Sequence, residues 1–274
     1  CSSDLGRIGP LPNHWPRGQN LGQRSAMSHP TQPQHPDADP PLDLRERGAP
    51  KDGVPQVSDR RLFMQLLVGD APPGVSPASV VRDLGRRLRE TGAPAVLYAD
   101  ANHPRGVGIL SWSEQPEDFV TRVHPAVAET TLEMRPDFTM LGRTYSTGYE
   151  PDLAYWLLDR PRETVLHEGW DWAVWYPLRR TGAFARLEGR EQGSILREHG
   201  TIGKAYGAAD LAHDIRLACH GLDAADNEFV IGLIGNTLHP LSHVVQTMRK
   251  TRQTSEFMEK MGPFFVGRVV ARVG

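Results

Sequence analysis

The sequence predicts an α+β fold in which one order of elements occurs twice. From residue 60 onward, short apolar segments typical of strands alternate with segments of helical spacing. In each half of the chain these segments follow the order strand, helix, strand, strand, helix, strand. A unit of this kind forms one antiparallel sheet covered by helices, so we expect two ferredoxin-like halves.

In the first half, the strand-like segments are rich in β-branched and aromatic residues, and turn residues separate them from two amphipathic segments. The predicted strands are 60–69, 94–99, 106–113 and 136–148, and the predicted helices are 76–91 and 115–128.

In the second half, the segment WDWAVWYPLRR predicts the first strand, at 170–180. The remaining predictions are a helix at 187–200, strands at 210–219 and 227–235, a helix at 239–252 and a strand at 263–271. The last helix has the clearest inward face, with apolar residues at i, i+3, i+4 and i+7: Leu241, Val244, Val245 and Met248.

The composition divides the chain into four parts. Residues 1–57 are dense in Pro, Gly, Gln and Asp, which predicts a disordered tail, and we expect residues 1–26 to precede a natural start at Met27. Residues 58–150 form the predicted N-terminal ferredoxin-like subdomain, 151–169 a linker, and 170–274 the C-terminal subdomain.

Charge and cysteine content narrow the classes of function. The chain has 274 residues, a formal net charge of -2 and 39% hydrophobic residues, which predicts neither nucleic-acid nor membrane binding. Its two cysteines, Cys1 and Cys219, lie in the tail and in a predicted strand, so a disulfide framework is not expected. We therefore expect a cytoplasmic protein with a small-molecule substrate and no nucleic-acid or membrane partner.

A single histidine lies on the apolar stripe of the predicted helix 187–200. His199 follows Ile195 by four positions and Leu196 by three, so all three are expected on one buried face. Spacing alone favours a hydrogen-bonded core histidine over a metal or cofactor ligand.

Longer motifs resemble one known family. The second half contains EHGTIGKAYG, HGLDAADNEFVIGLIG and MRKTRQTSEFMEKMGPFFVGRVV, in an order and spacing similar to the chlorite dismutase family, which includes the coproheme decarboxylases. The first half resembles that family more weakly, through LFMQLLVG, HPRGVGILSWSE and PDFTMLGRTYSTGYE. The tail resembles nothing in it.

The resemblance implies a dimeric α+β barrel, a homo-oligomer such as a pentamer, and one haem b (iron protoporphyrin IX) or coproheme in the second half. His199 matches the family's proximal iron ligand. Gln253 falls where the family has a carboxylate that accepts the proximal imidazole proton, and an amide oxygen can accept the same bond without a charge. Arg179 and Arg180 are expected beside the porphyrin carboxylates, although a solvent-facing charge pair explains them almost as well.

The side of the haem opposite His199 departs from the family pattern. Asp214 stands where chlorite dismutases have arginine and many decarboxylases have glutamine, and Arg216 is the next residue on the same strand face. Two readings stay open, a structural Asp–Arg pair and a distal acid with a neighbouring cation that polarises a bound oxidant.

Three functions follow from the resemblance. The first is a haem oxidoreductase acting on peroxide or a chlorine oxyanion, with peroxidase-like turnover expected to exceed chlorite decomposition because Asp214 replaces the arginine. The second is a coproheme decarboxylase, which we rank lower because Ala185 supplies no phenol at the position we match to the family's tyrosine. The third is a haem carrier or a haem-free structural relative.

Other patterns predict packing rather than chemistry. His239 and His243 are four residues apart but have no evident third metal ligand. Gly106 and Gly108 read as strand glycines rather than a phosphate loop. The aromatic residues of the strand at 170–180 are expected mainly in the core.

Overall fold

An antiparallel hairpin opens the part of the chain that is described by the structure, a computed structural model covering residues 42–274. The hairpin joins β1 (Glu46–Lys51) to β2 (Val54–Ser58), and Asp52 and Gly53 take left-handed conformations at the turn. The expectation of disorder over 1–57 is therefore wrong for the hairpin residues. Residues 1–41 of that expected tail lie outside the described residues.

Long-range contacts explain why the hairpin is ordered despite its composition. The side-chain amide of Gln56 donates to the backbone oxygens of Ala49 at 2.6 Å and Glu150 at 3.2 Å. Lys51 forms an ion pair with Asp152 at 2.9 Å. Composition reports only local preferences, so partners about 100 positions away escape it.

The first half has the element order that the sequence predicts. Its elements are β3 (Phe63–Asp70), α1 (Pro77–Thr91), β4 (Ala95–Asp100), β5 (Gly106–Ser113), α2 (His124–Ala128), β6 (Glu133–Met134) and β7 (Met140–Arg143). The main strands lie in the antiparallel order β7-β3-β5-β4, which is the ferredoxin-like order. Helix α1 begins with Pro77 and ends at Gly92, whose φ of 68° closes the last turn.

The second half repeats this arrangement. After α3 (Arg160–Leu166), its elements are β8 (Trp172–Arg180), α4 (Gly182–Ala185), α5 (Gly189–Ala208), β9 (His213–Ala218), β10 (Phe229–Gly235), α6 (Leu238–Met248), α7 (Arg252–Phe257), β11 (Met258–Met261) and β12 (Phe265–Val273). The strand order β9-β10-β8-β12 is again ferredoxin-like, and β11 pairs with the far end of β8.

The two half-sheets share hydrogen bonds at both of their edges. Strand β4 pairs with β12 along its whole length, and β7 meets β9 through Arg143 and Ala218. The order of paired neighbours therefore returns to its first strand, and eight strands form a closed ring. Strand residues alternate between the inside and the outside of this ring.

The inward residues of all eight strands form one core. Trp175, Phe265, Leu66 and Ile215 are at most 1% exposed and belong to a single contiguous cluster. Two further clusters lie on the outer faces, one under α1 and α2 and one under α5 and α6. The aromatic strand residue Trp175 is thus a core residue, as expected.

Several sequence-based boundaries are wrong. The helix expected at 187–200 extends to Ala208 as α5. The segment 151–169, expected as a linker, contains a π-helical turn, Tyr155–Asp159, followed by α3. The strand expected over 136–148 is limited to β7, because a 3-10 turn, Pro136–Phe138, precedes it. The helix expected at 239–252 ends at Met248 and resumes at Arg252.

No helix in the described part of the chain has the length and apolarity needed to cross a membrane.

Candidate functional site

The face of α5 that packs on the second half-sheet carries His199. His199 is half-buried, Ile195 is 2% exposed, and Leu196 is 44% exposed. The expectation that Leu196 shares the buried face is wrong, because the inward stripe continues from Ile195 and His199 to Ile202 and Tyr206. We call this stripe and the outward face of β8, β9 and β10 the α5 site.

One hydrogen bond favours one tautomer of His199. Its Nδ1 lies 3.2 Å from Oγ1 of Thr251, and the Thr251 hydroxyl donates to the Met248 carbonyl at 2.8 Å. Because that hydroxyl proton is already used, Thr251 accepts from His199 and Nδ1 carries the imidazole proton. Nε2 then keeps its lone pair, the form that binds a metal.

Gln253 does not make the contact expected of it. The structure gives the Nδ1 bond of His199 to Thr251, two positions earlier, so a gapless count along the sequence misplaced the partner. Gln253 is 8% exposed, and its Oε1 has no hydrogen-bond partner within the described residues. It lies on α7 as a buried, unused acceptor.

Three strands supply the sheet side of the α5 site. Ile231 on β10 is paired with Arg216 on β9 and with Tyr176 on β8, so these three side chains form one row on the outward face. Leu233 similarly places Asp214 in the adjacent row. The prediction that Asp214 and Arg216 share the face toward α5 agrees with this register.

Two arginines hold Asp214. Arg160 on α3 donates to the Asp214 backbone oxygen at 2.8 Å and to its Oδ1 at 2.9 Å. Nε of Arg216 lies 3.0 Å from Oδ2. The structural pairing of Asp214 with Arg216 is therefore present, and a second cation reinforces it.

The electrostatics of the site follow from burial and these charges. Burial opposes ionisation of Asp214, but Arg216 and then Arg160 outweigh it and hold the pKa of Asp214 below its ordinary value. Burial, and then the charge of Arg216, lower the pKa of His199. Asp214 is thus a fixed anion at neutral pH rather than a proton donor, and His199 is neutral.

The two arginines that end β8 lie on opposite sides of the sheet. Arg180 is on the α5 side, where its guanidinium bonds Glu228 at 3.0 Å and lies over the rings of Phe184 and Phe229. Arg179 points the other way and pairs with Asp226 and Glu259 at 3.3 and 3.1 Å. Only Arg180 therefore adjoins the α5 site.

Two phenols lie at the site. Ala185 ends the short helix α4 and supplies none, as the sequence indicates. Tyr176, however, lies on the α5 face of β8, 7% exposed and stacked on Phe264 at 4.6 Å. Tyr145 packs against Phe229 at 5.5 Å.

Sequence reasoning also missed Thr251 and Arg160. Thr251 directly precedes α7, and a threonine just before a helix is a recognised start signal. Arg160 was hidden by the linker interpretation, although Leu153, Leu157 and Leu158 have helical spacing and are at most 4% exposed. Pro151 and Pro161 obscured that pattern.

The pair of histidines on α6 forms no metal centre. His239 and His243 lie 5.9 Å apart between ring centroids, and His243 bonds the Tyr206 hydroxyl. Among residues 42–274, no three His, Cys, Asp or Glu side chains group closely enough to hold a metal ion.

The protein has two ferredoxin-like halves and a neutral, half-buried histidine over the second sheet, and comparison with known proteins shows what these features are similar to. Residues 143–270, a little under half of the chain, match the family model described as Chlorite dismutase. The matched segment contains the whole α5 site.

Solved structures share the fold. A heme-binding protein from Thermus thermophilus is 17% identical, with a TM-score of 0.59 over 77% of this chain and 92% of its own. The chlorite dismutase of Candidatus Nitrospira defluvii, solved with imidazole, is 13% identical, with a TM-score of 0.61 over 78% and 93%. No curated protein matches the sequence.

Proposed function

We propose that this chain is a haem-binding oxidoreductase whose His199 binds the haem iron. The observation that carries the proposal is the half-buried His199, whose Nδ1 is bonded to Thr251 and whose pKa is lowered by burial and then by the nearby charge of Arg216, so that Nε2 is available as a ligand atom. A haem bound at this site would supply an iron that reacts with peroxide and transfers single electrons.

The residues of the α5 site fit such a group. Ile202, Phe229 and Ile231 are only half-buried although they lie between a helix and a sheet, so a flat apolar ring has surface to cover. The neutral imidazole is the donor that iron requires. Arg180 adjoins the site as a cation for a porphyrin carboxylate, which would share it with Glu228.

We expect peroxide rather than chlorite as the oxidant, because Asp214 stands where the family's chlorite dismutases have arginine. An anion at that position repels chlorite, although Arg216 and Arg160 pair with it, and it does not repel neutral peroxide. We expect peroxidase-type turnover to exceed oxygen evolution from chlorite, and measuring both on one preparation checks this order.

Haemin titration of the wild type and of His199→Ala tests the proposal. We expect a Soret band that saturates at one haem per chain in the wild type and an affinity more than about 100-fold weaker in the variant. Added imidazole should restore binding to His199→Ala, and His239→Ala, an exposed histidine of α6, should bind as the wild type does. A wild type without a Soret band at saturating haemin refutes haem binding, and an unchanged variant spectrum refutes the ligand.

Decarboxylation of coproheme is a second candidate, because Tyr176 brings a phenol to the α5 face. Each step converts a propionate and one peroxide into a vinyl group, carbon dioxide and two waters, and an oxidisable phenol near the propionate is the group that this route needs. The absence of a phenol at Ala185 therefore does not decide the question.

Mass spectrometry of coproheme after peroxide titration separates the two candidates. The peroxidase proposal expects the porphyrin to be bound and left largely unconverted or bleached. Loss of carboxyl groups in the wild type and in Tyr206→Phe, but not in Tyr176→Phe, establishes the decarboxylase instead. Conversion in Ala185→Tyr alone would support our match of position 185 to the family's tyrosine.

Homo-oligomerisation belongs to the same proposal. We expect a symmetric assembly such as a pentamer, by analogy with the family. Light scattering of the purified chain at several concentrations tests it, and a single-chain mass at all of them refutes it.

A further inference from the structure

We propose that Arg160 is a positioning residue for the α5 site: by holding Asp214, it keeps the terminal amino groups of Arg216 free to face a ligand bound opposite His199. This inference rests on the proposed haem site. It assigns a role to α3, which lies in the segment that we expected to be a linker.

Arg160 is well placed to act through Asp214. Its guanidinium makes two hydrogen bonds to Asp214, one to the backbone and one to the side chain, and lies over the Trp156 ring at 4.5 Å. Its side chain is 20% exposed, so the contact is shielded from solvent. Three contacts on one guanidinium fix both the strand backbone and the carboxylate that it meets.

The two arginines contact different oxygens of the Asp214 carboxylate, so Arg216 uses only part of its hydrogen-bonding capacity. Arg160 donates to Oδ1, and the closest contact of Arg216 is from its Nε to Oδ2. The two Nη groups of Arg216 make no hydrogen bond within residues 42–274. If Oδ1 were vacant, a bidentate pair would form and draw the guanidinium of Arg216 onto Asp214.

The charged and titratable groups around Asp214 come from every element packed against it. They are Arg160 on α3, His199 on α5, Arg216 on the same strand, Tyr176 on β8 and Tyr145 after β7, while Glu150 acts on Arg216 and Tyr145. Removing Arg160 deletes one of the two cations that keep Asp214 ionised, so the pKa of Asp214 should rise.

Fluoride binding to the haemin-loaded protein tests the positioning role. In Arg160→Gln we expect the fluoride dissociation constant, measured by absorbance, to increase about tenfold, because Arg216 turns from the ligand to Asp214. Arg160→Lys keeps the positive charge but not the paired donors of a guanidinium, so its fluoride dissociation constant should lie between those of the wild type and Arg160→Gln. Arg162→Gln is the matched control, because Arg162 is on the same helix but pairs with Glu114 and Asp159.

The pH profile distinguishes positioning from a general structural loss. As the pH falls, Asp214 in Arg160→Gln becomes protonated and releases Arg216, so its fluoride affinity relative to the wild type should recover. A general loss of structure would instead worsen in acid. A normal Soret band with the same fluoride affinity and pH profile in Arg160→Gln, Arg162→Gln and the wild type overturns the inference.

Unfolding of the haem-free chain provides an independent test of the inference. Urea unfolding of the wild type, Arg160→Gln, Asp214→Asn and the double variant should show coupling of about tenfold in the unfolding equilibrium constant. If the effects of the two substitutions on the unfolding equilibrium are independent, Arg160 does not act through Asp214, and the inference is overturned. A missing Soret band in the wild type refutes the proposed function, whereas uncoupled variants refute this inference, so the two failures are distinct.

Discussion

At the scale of single residues, the chemistry of the site depends on which nitrogen of His199 holds a proton. Thr251, and not the expected Gln253, decides this, since its hydroxyl proton is committed to Met248. His199 lies on a helix, as the spacing of apolar residues predicts, and its role as an iron ligand stays a prediction. The family resemblance misplaced the partner because the break between α6 and α7 shifts which residue faces α5.

Replacing Thr251 tests the tautomer directly. Thr251→Val keeps the shape and removes the acceptor, so we expect haemin affinity to fall about 10- to 100-fold. Thr251→Ser keeps the hydroxyl and should bind nearly as the wild type does. Haemin titration of both variants measures the difference, and equal affinities would show that Thr251 does not orient His199.

Glu150 provides a prediction on pH. Its carboxylate accepts from the Thr147 backbone and hydroxyl at 2.7 and 2.6 Å and from the Gly148 backbone at 2.9 Å. Burial raises its pKa, but these bonds outweigh burial and hold the pKa below the ordinary value of 4.5. Its stabilisation is therefore present above pH 4.5 and is lost as the pH falls through the folded pKa.

Glu150→Gln should accordingly lower the free energy of unfolding by about 1–3 kcal/mol at neutral pH. The difference from the wild type should shrink steadily in acid below the ordinary carboxyl pKa. Urea unfolding at several pH values measures it, with the exposed Glu117→Gln as control. A difference that stays constant with pH would exclude the ionised form as the stabilising one.

At the scale of elements, the glycine content of α5 separates its two faces. A Cβ at Gly200 would meet nothing within 4 Å, whereas one at Gly203 would lie 3.6 Å from Met248. Gly203 follows His199 by four residues and so shares its face. Gly200 belongs to the solvent side.

Substitution of these two glycines by alanine should therefore have different effects. Gly200→Ala should raise the free energy of unfolding of the haem-free chain by about 0.5–1 kcal/mol and leave haemin affinity unchanged. Gly203→Ala should weaken haemin binding, because its methyl group enters the α5 site. Unfolding and haemin titrations on the same pair of variants compare the effects, and equal haemin affinities would place Gly203 outside the site.

Elements with strong periodicity were predictable, and those that depend on distant partners were not. Helix α1 and strand β5 agree with their predicted ranges to within one residue. The β1–β2 hairpin and α3 were missed because Gln56 and Arg160 obtain their partners from elements far along the chain. Local sequence carries no record of such contacts.

At the scale of the whole molecule, the closed ring was implied only in part by the sequence. Repeated element order predicts two ferredoxin-like sheets, but the pairing of β4 with β12 is a contact between halves that share no obvious sequence. Inside the ring, large aromatic side chains face glycines. Phe265 lies against Gly108, and Trp175 against Gly232.

Gly108→Ala tests this packing. Its Cβ would lie 2.3 Å from Cζ of Phe265, so ring and backbone would have to move. We expect the free energy of unfolding to fall by about 1–3 kcal/mol. Chemical denaturation measures the loss, with Gly200→Ala as the matched glycine control. A variant as stable as the wild type would show that the core around Phe265 is loosely packed.

The closed ring also bears on how the folded chain meets other copies of itself. An open sheet edge offers unpaired backbone groups to any strand that approaches, which is the usual route to fibrous association. All eight strands of the ring have neighbours on both sides, and the separate hairpin carries Pro50 and Pro55 in its two strands. Once folded, the eight strands of the ring therefore offer no open edge to a second chain, whether or not the α5 site is occupied.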